Sequence, residues 1–181
     1  MSPTELDQLN AAIRDVPDFP KEGVLFKDIT PVLADSALFR LAIDGLVEFI
    51  ESHRVDKIVG IDARGFIFGA AVADRIGAGL IPVRKKGKLP WKTHEMSYAL
   101  EYGEATVEIH EDAIVAGEQI LLVDDLLATG GTSAAALELV KRQGGQIVGA
   151  AFFIELGFLD GRKILEAEAA GEFPVMALLT Y

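Results

Sequence analysis

The 181 residues include no cysteine, which excludes disulfides and thiolate-bound metals. Positive charge is scarce. There are 17 Lys and Arg against 28 Asp and Glu, a formal net charge of −11 at pH 7, which disfavours wholesale binding of nucleic acid or an anionic membrane. No apolar run approaches the ~20 residues of a membrane span. Met1 to Asn10 has neither a basic flank nor an apolar core, so no signal peptide is expected, and a cytoplasmic location is. Repeats and low-complexity segments are lacking too. The histidines, His53, His94 and His110, share no ligand spacing, and each reads as structural or solvated.

What is present suits one α/β domain over residues 1–181. Half the residues are hydrophobic and 18 are glycine, which argues against disorder and gives enough apolar material for a full core. The most informative stretch is Ile120 to Val140, ILLVDDLLATGGTSAAALELV. Ile120 to Val123 is a continuous apolar run, as in a parallel strand buried on both faces. Thr132 and Ser133 open a helix. Ala128, Thr129, Gly130, Gly131 and Thr132 place small side chains and free N–H groups at that helix N-terminus, where the dipole favours a phosphate. The P-loop needs Lys after its second Gly and the dinucleotide fingerprint needs three spaced glycines; neither is here. Asp124 and Asp125 repel a phosphate but accept hydrogen bonds from vicinal sugar hydroxyls. The combined ligand is a ribose 5-phosphate. The competing reading, a generic strand-turn-helix with an acidic turn, is weakened by the Ala-Thr-Gly-Gly-Thr tail.

Along the chain, Ser2, Pro3 and Glu5 predict a capping box and a helix to about Arg14. Val16 to Leu33 has three prolines but many apolar residues, which predicts an ordered loop strapped across the core. A helix is expected from Ser36 to His53, a buried strand over Lys57 to Ile61, and a helix over Phe66 to Ile76. Between the last two, Arg64 opposes the helix dipole, which a bound anion explains better than helix stability; a surface arginine beside a structural glycine is the other reading. Leu80 to Arg84 is a strand that Pro82 marks as restricted or at an edge. It delivers the one dense basic cluster, Arg84, Lys85, Lys86 and Lys88. Gly87 to Gly103 reads as a long lid loop or hairpin, within which Trp91 is left open as a packed anchor. Ala105 to His110 alternates like a half-exposed strand. Gln146 to Ile154 is another apolar strand, Leu159 to Glu168 a short polar helix, and Val175 to Thr180 a last strand.

This alternation predicts a mainly parallel twisted sheet with helices on both faces and a ligand at the carboxyl ends of the strands. Residues 1–55 are expected to form a small N-terminal hood over that edge, and 56–181 the core, with a flexible loop at about 86–103. Three anion turns fall on one edge: Asp62 to Gly65, Arg84 to Lys88, and Asp124 to Thr132. The positive charge beyond one phosphate site suits a pyrophosphate. Its departure from an anomeric carbon passes through an oxocarbenium-like state, so the leaving group's negative charge must be held, which Arg64, Arg84, Lys85 and Lys88 are placed to do. Mg2+ is expected to arrive on the substrate, with at most a water-mediated link to Asp124.

Leu122 to Thr132 resembles the phosphoribosyl-pyrophosphate motif of the type I phosphoribosyltransferase family. Four further segments, Phe19 to Leu33, IDARGFIFG over 61–69, RKKGKLP over 84–90 and LEYG over 100–103, are similar to the family's adenine-specific members. The resemblance covers Phe19 to about Ile154 and departs at Trp91 to Tyr98. It implies transfer of the phosphoribosyl group of phosphoribosyl pyrophosphate to adenine, giving AMP and diphosphate in purine salvage, by a Mg2+-dependent homodimer. It further implies that Phe26 stacks on adenine while the Leu25 carbonyl and Lys27 N–H read its edge. Asp62, Ala63 and Arg64 would form the pyrophosphate turn, with a cis bond between Asp62 and Ala63. Glu101 would assist proton movement at the purine, and Tyr102 would help close the lid. Two rivals are weaker. A xanthine or orotate phosphoribosyltransferase would lack the 19–30 strap, and a nucleic-acid-binding regulator has little room at this net charge.

Overall fold

The computed structural model describes residues 1–99 and 103–181. Helix α1 (Pro3–Ala12) begins with the expected capping box: the Ser2 hydroxyl accepts from the Glu5 N–H, and the Glu5 carboxylate accepts from the Ser2 N–H at 2.7 Å. It stops short of Arg14 because β1 (Arg14–Pro17) pairs antiparallel with β2 (Leu25–Asp28). The expected ordered loop is thus a hairpin, followed by the short helix α2 (Thr30–Ala34). Pro17 closes a strand and the cis-bonded Pro20 lies between the strands, positions where no ladder N–H is needed. Helix α3 (Ser36–Ile50) is capped by Asp35, which accepts from the N–H groups of Ala37 and Leu38.

The remaining elements are β3 (Lys57–Ile61), α4 (Gly65–Ile76), β4 (Gly79–Lys85), β5 (Thr93–Ala99), β6 (Glu104–His110), β7 (Gln119–Leu127), α5 (Gly131–Arg142), β8 (Gln146–Glu155), α6 (Gly161–Ala169) and β9 (Val175–Thr180). A single 3-10 turn, Gly157–Leu159, precedes α6. The seven-stranded sheet has the order β5-β6-β4-β3-β7-β8-β9. It is parallel from β4 to β9, while β6 runs antiparallel to both β4 and β5. Helices α3 and α4 cover one face, where Leu46, Phe68, Val123 and Phe153 are buried together. Helices α5 and α6 cover the other, over Leu122, Leu137, Val140, Phe152 and Leu165. The mostly parallel sheet with two helical layers is the predicted architecture.

Five expectations are sharpened or corrected. Residues 1–55 are not all accessory, because α3 packs on β8 and β9 as part of a helical layer. Of the two readings of 87–103, a long loop or a hairpin, the described residues bear out the hairpin, with β5 pairing antiparallel to β6. Pro82 lies in an interior strand, yet β6 pairs with β4 only at Arg84 and Lys85, so the proline sits where β4 is still an edge on that side. Glu108 is not on a half-exposed face: it is 3 % exposed. Trp91 is 63 % exposed, which removes it as a packed anchor. Among the described residues no helix is long and apolar enough to cross a membrane.

Candidate active site

Adjacent parallel strands end side by side, and here the registers Gly60↔Val123 and Ile61↔Val83 bring the turn after β3 beside the last residues of β7. That strand runs on through Asp124 and Asp125 to Leu127, so both carboxylates are fixed by ladder geometry rather than by a loop. A cleft of ≈ 260 Å³ opens there, lined by Asp62, Ala63 and Arg64 on one side and by Asp124, Asp125, Ala128, Thr129, Gly130, Thr132 and Ser133 on the other. Two of the three expected anion turns therefore share one cavity. The Asp62–Ala63 peptide is cis, as the resemblance implied.

The aspartates are 8 % and 7 % exposed, and burial penalises their charged forms. Asp124 is pushed well above the ordinary carboxylate range by burial, then by the Asp125 charge, against the Asp125 N–H that donates to Oδ1 at 2.8 Å. Asp125 is also raised by burial, and the Arg64 guanidinium opposes this from 2.7 Å. The two carboxylates therefore titrate as one coupled pair, both raised by burial. Close approach is built in at Gly65, where a Cβ would overlap Asp124 Oδ1. Arg64 precedes α4 without a side-chain cap, so a neighbouring protein carboxylate accounts for an arginine at a helix start without any bound anion.

Helix α5 begins after Gly130, whose φ of +81° suits glycine. The first N–H groups of α5 have no partner inside the helix and face the cleft end that Ala128, Thr129, Gly130 and Thr132 line. Sequence reasoning missed what holds this turn. Gly161, at the start of α6, lies so close that a Cβ on it would overlap the Ala128 carbonyl, and Tyr98 of β5 shares a 2.8 Å hydrogen bond with the Thr132 hydroxyl. Nothing in the sequence signals a contact so distant along the chain.

The third turn is joined to the Asp62 turn rather than lining the cavity. Arg84 donates from Nε to Asp62 at 3.0 Å and from Nη1 to the Lys88 carbonyl at 3.0 Å. Lys85 and Lys88 are exposed at this edge. On the far side, Arg64 lies 5.4 Å over the Phe26 ring, and Phe26 meets Phe19 edge-on at 5.1 Å. Leu25 is half exposed, while the Lys27 ammonium binds Asp15 at 2.7 Å and sits over Tyr181. Glu101 and Tyr102 lie outside the described residues. His53 and His94 are exposed, and His110 has a buried Nε2 without a partner. No three His, Cys, Asp or Glu side chains converge as a metal cage among the described residues.

Comparison with known proteins matches residues 32–167 to the phosphoribosyl transferase domain family. The adenine phosphoribosyltransferase of Anaeromyxobacter dehalogenans is 54% identical over 97% of this chain and 99% of its own length. That of Acidothermus cellulolyticus is 55% identical over 92% and 95%. Among solved structures, the adenine phosphoribosyltransferase of Rhodothermus marinus superposes with a TM-score of 0.93 at 51% identity, covering 99% of this chain and 100% of that one. The Saccharomyces cerevisiae enzyme, solved with an imino-altritol bisphosphate and adenine, gives 0.89 at 40% identity over 97% and 99%. Fold, cleft and relatives agree: the chain belongs to the adenine phosphoribosyltransferase family, within the type I phosphoribosyltransferases.

Proposed function

We propose that the chain transfers the 5-phosphoribosyl group of 5-phospho-α-D-ribose 1-diphosphate to adenine, forming AMP and diphosphate in a purine-salvage step. One observation carries the reading. A helix-N-terminal anion turn, a buried carboxylate pair and an arginine line one cleft, the arrangement a phosphorylated sugar with a departing anion requires. The 5′-phosphate lies at Ala128 to Thr132, and the ribose hydroxyls donate to Asp124 and Asp125. Arg64, Arg84, Lys85 and Lys88, with the Asp62–Ala63 turn, take the charge of the departing diphosphate as the anomeric centre becomes cationic.

The base enters between this edge and the β1/β2 hairpin. Strand β2 is paired on one side only, so alternate N–H and C=O groups of residues 25–28 point away from β1 and are open to a ligand. Leu25 O and Lys27 N–H read the amine and ring nitrogen of adenine, and Phe26 stacks on it. A carbonyl acceptor facing the oxo group of guanine or hypoxanthine is left unpaired, at a cost of ~1–3 kcal/mol. Glu101 aids proton movement at the purine, and Tyr102 closes the lid.

Asp124 and Asp125 supply hard oxygen donors that fit Mg2+ held chiefly by substrate oxygens and water. When bound, the ion neutralises diphosphate charge. The working form is a homodimer, a point that sedimentation checks. The reaction is tested by a coupled assay across bases: adenine should be turned over at least about tenfold better than guanine or hypoxanthine, and equal rates would remove the adenine assignment.

A further inference from the structure

Strand β6 carries a buried acid that the proposed reaction leaves unused. Glu108 is 3 % exposed, and both its oxygens are engaged at the start of the lid segment. Oε1 accepts from the N–H groups of Lys88 at 2.9 Å and Leu89 at 2.8 Å, and Oε2 from the Thr93 hydroxyl at 3.3 Å. Burial alone would raise its pKa. The N–H groups of Leu89, Gly87 and Lys88, with the Thr93 hydroxyl, outweigh that and hold it below the usual glutamate range, so the group is an anion at neutral pH.

A carboxylate beneath the most basic stretch of the chain works against binding a diphosphate there, unless it does something else for the site. Its position says what. Glu108 lies directly across from Arg84 in the β4–β6 pair, a contact of only two residue pairs. Arg84 in turn holds the Lys88 carbonyl and the Asp62 carboxylate, each at 3.0 Å. A continuous chain of hydrogen bonds thus runs from Glu108 through the backbone at 88 and 89, to the Lys88 carbonyl, to Arg84, and on to the Asp62 turn that lines the cleft. The N–H groups of this turn point inward to Glu108, which leaves the cationic side chains as the groups it offers an anion.

We propose that Glu108 is a positioning residue for the diphosphate end of the site, fixing the 87–89 turn so that Arg84 is held against Asp62. The inference rests on the reaction proposed above. AMP lacks a diphosphate and is the internal control.

Calorimetric binding of phosphoribosyl pyrophosphate with Mg2+, and separately of AMP, is compared in wild type, Glu108→Ala, Glu108→Asp and Glu108→Gln. Loss of the three charge-assisted hydrogen bonds in Glu108→Ala should weaken phosphoribosyl pyrophosphate by about tenfold or more, and AMP by no more than about twofold. Glu108→Gln keeps an oxygen acceptor for both N–H groups and should restore most of the affinity. Glu108→Asp keeps the charge but not the reach, so it serves if the alanine variant does not fold, and should show the same selective loss. Equal losses for both ligands, or undiminished binding of phosphoribosyl pyrophosphate by a folded Glu108→Asp, would overturn the role while leaving the reaction standing. A wild type that binds AMP but not phosphoribosyl pyrophosphate would overturn the reaction, and the role with it.

Discussion

Arg64 Nε lies 2.7 Å from Asp125 Oδ2, across the seam between two turns far apart in sequence. The same guanidinium stands 5.4 Å over the Phe26 ring. One side chain therefore touches the carboxylate pair proposed to hold the sugar and the hairpin proposed to hold the base, while its own turn is the one proposed to hold the diphosphate. Since Arg64 also restrains the pKa of Asp125, its charge is part of the carboxylate pair.

Removing that charge should cost more than a surface cation would. Arg64→Ala is expected to lower kcat by about 10²–10³, the cost of losing one pre-organised charge-stabilising donor. Arg64→Lys should recover little, because an ammonium lacks the planar fork. Steady-state kinetics with both substrates varied decide this, and a lysine variant near wild type would contradict it.

Asp124 gives the pH dependence. Its pKa is raised in the fold above the ordinary 3.8, so its contribution to stability is fully present below about 3.8 and is lost as pH rises through the folded value. Asp124→Asn removes the titration. Its Tm should exceed that of wild type by an amount that grows with pH between 4 and 8, reaching at least about 2–4 °C, the shift that 1 kcal/mol produces in a chain of this size. Affinity for the ribose ligands should fall at the same time, a trade of activity for stability. Melts across that pH range suffice; a gap that narrows with pH would reverse the assignment.

Phe26→Ala separates the base from the donor. Base-aromatic stacking is worth about 1–3 kcal/mol by alanine substitution, so the KM for adenine should rise about 5- to 150-fold. The affinity for phosphoribosyl pyrophosphate should stay near that of wild type, measured by calorimetry without base.

Tyr98 and Thr132 hold the β5–β6 hairpin against the phosphate turn. Tyr98→Phe deletes that bond at a cost of about 0.5–1.5 kcal/mol, so Tm should fall by a few degrees. AMP should bind no more weakly, because the Thr132 hydroxyl is released to the phosphate. A parallel loss of AMP affinity would show that Tyr98 orients Thr132 instead.

The fold was readable where one physical signal dominated. Continuous apolar runs at Lys57–Ile61 and Ile120–Val123 marked the central strands, and the Ser2/Glu5 capping box marked α1. That Asp124, Asp125 and the 128–132 turn line one cleft was readable because they are near neighbours in sequence at one strand end. Reading failed where the deciding partner is distant. Glu108 alternates with Val107 and Ile109 as a solvent-facing residue would, and only the fold of 87–93 over it makes it buried. The prolines of Val16–Leu33 suggested a loop, yet they fall at a strand end, between strands and at the start of α2, where a hairpin tolerates them. Gly161 and Tyr98 touch the 128–132 turn with no local signature at all.

The pairing of β3 with β7, whose last rung is Gly60↔Val123, joins segments separated by more than sixty residues and lies directly beneath the two turns proposed to hold the ligand. A bound nucleotide is therefore a stitch across the most non-local seam of the sheet. It should stabilise the whole chain by RT ln(1 + [L]/Kd), and amide hydrogen exchange should slow first along 58–62 and 121–125, so that occupancy is recorded in the backbone at the centre of the molecule as well as in the cleft.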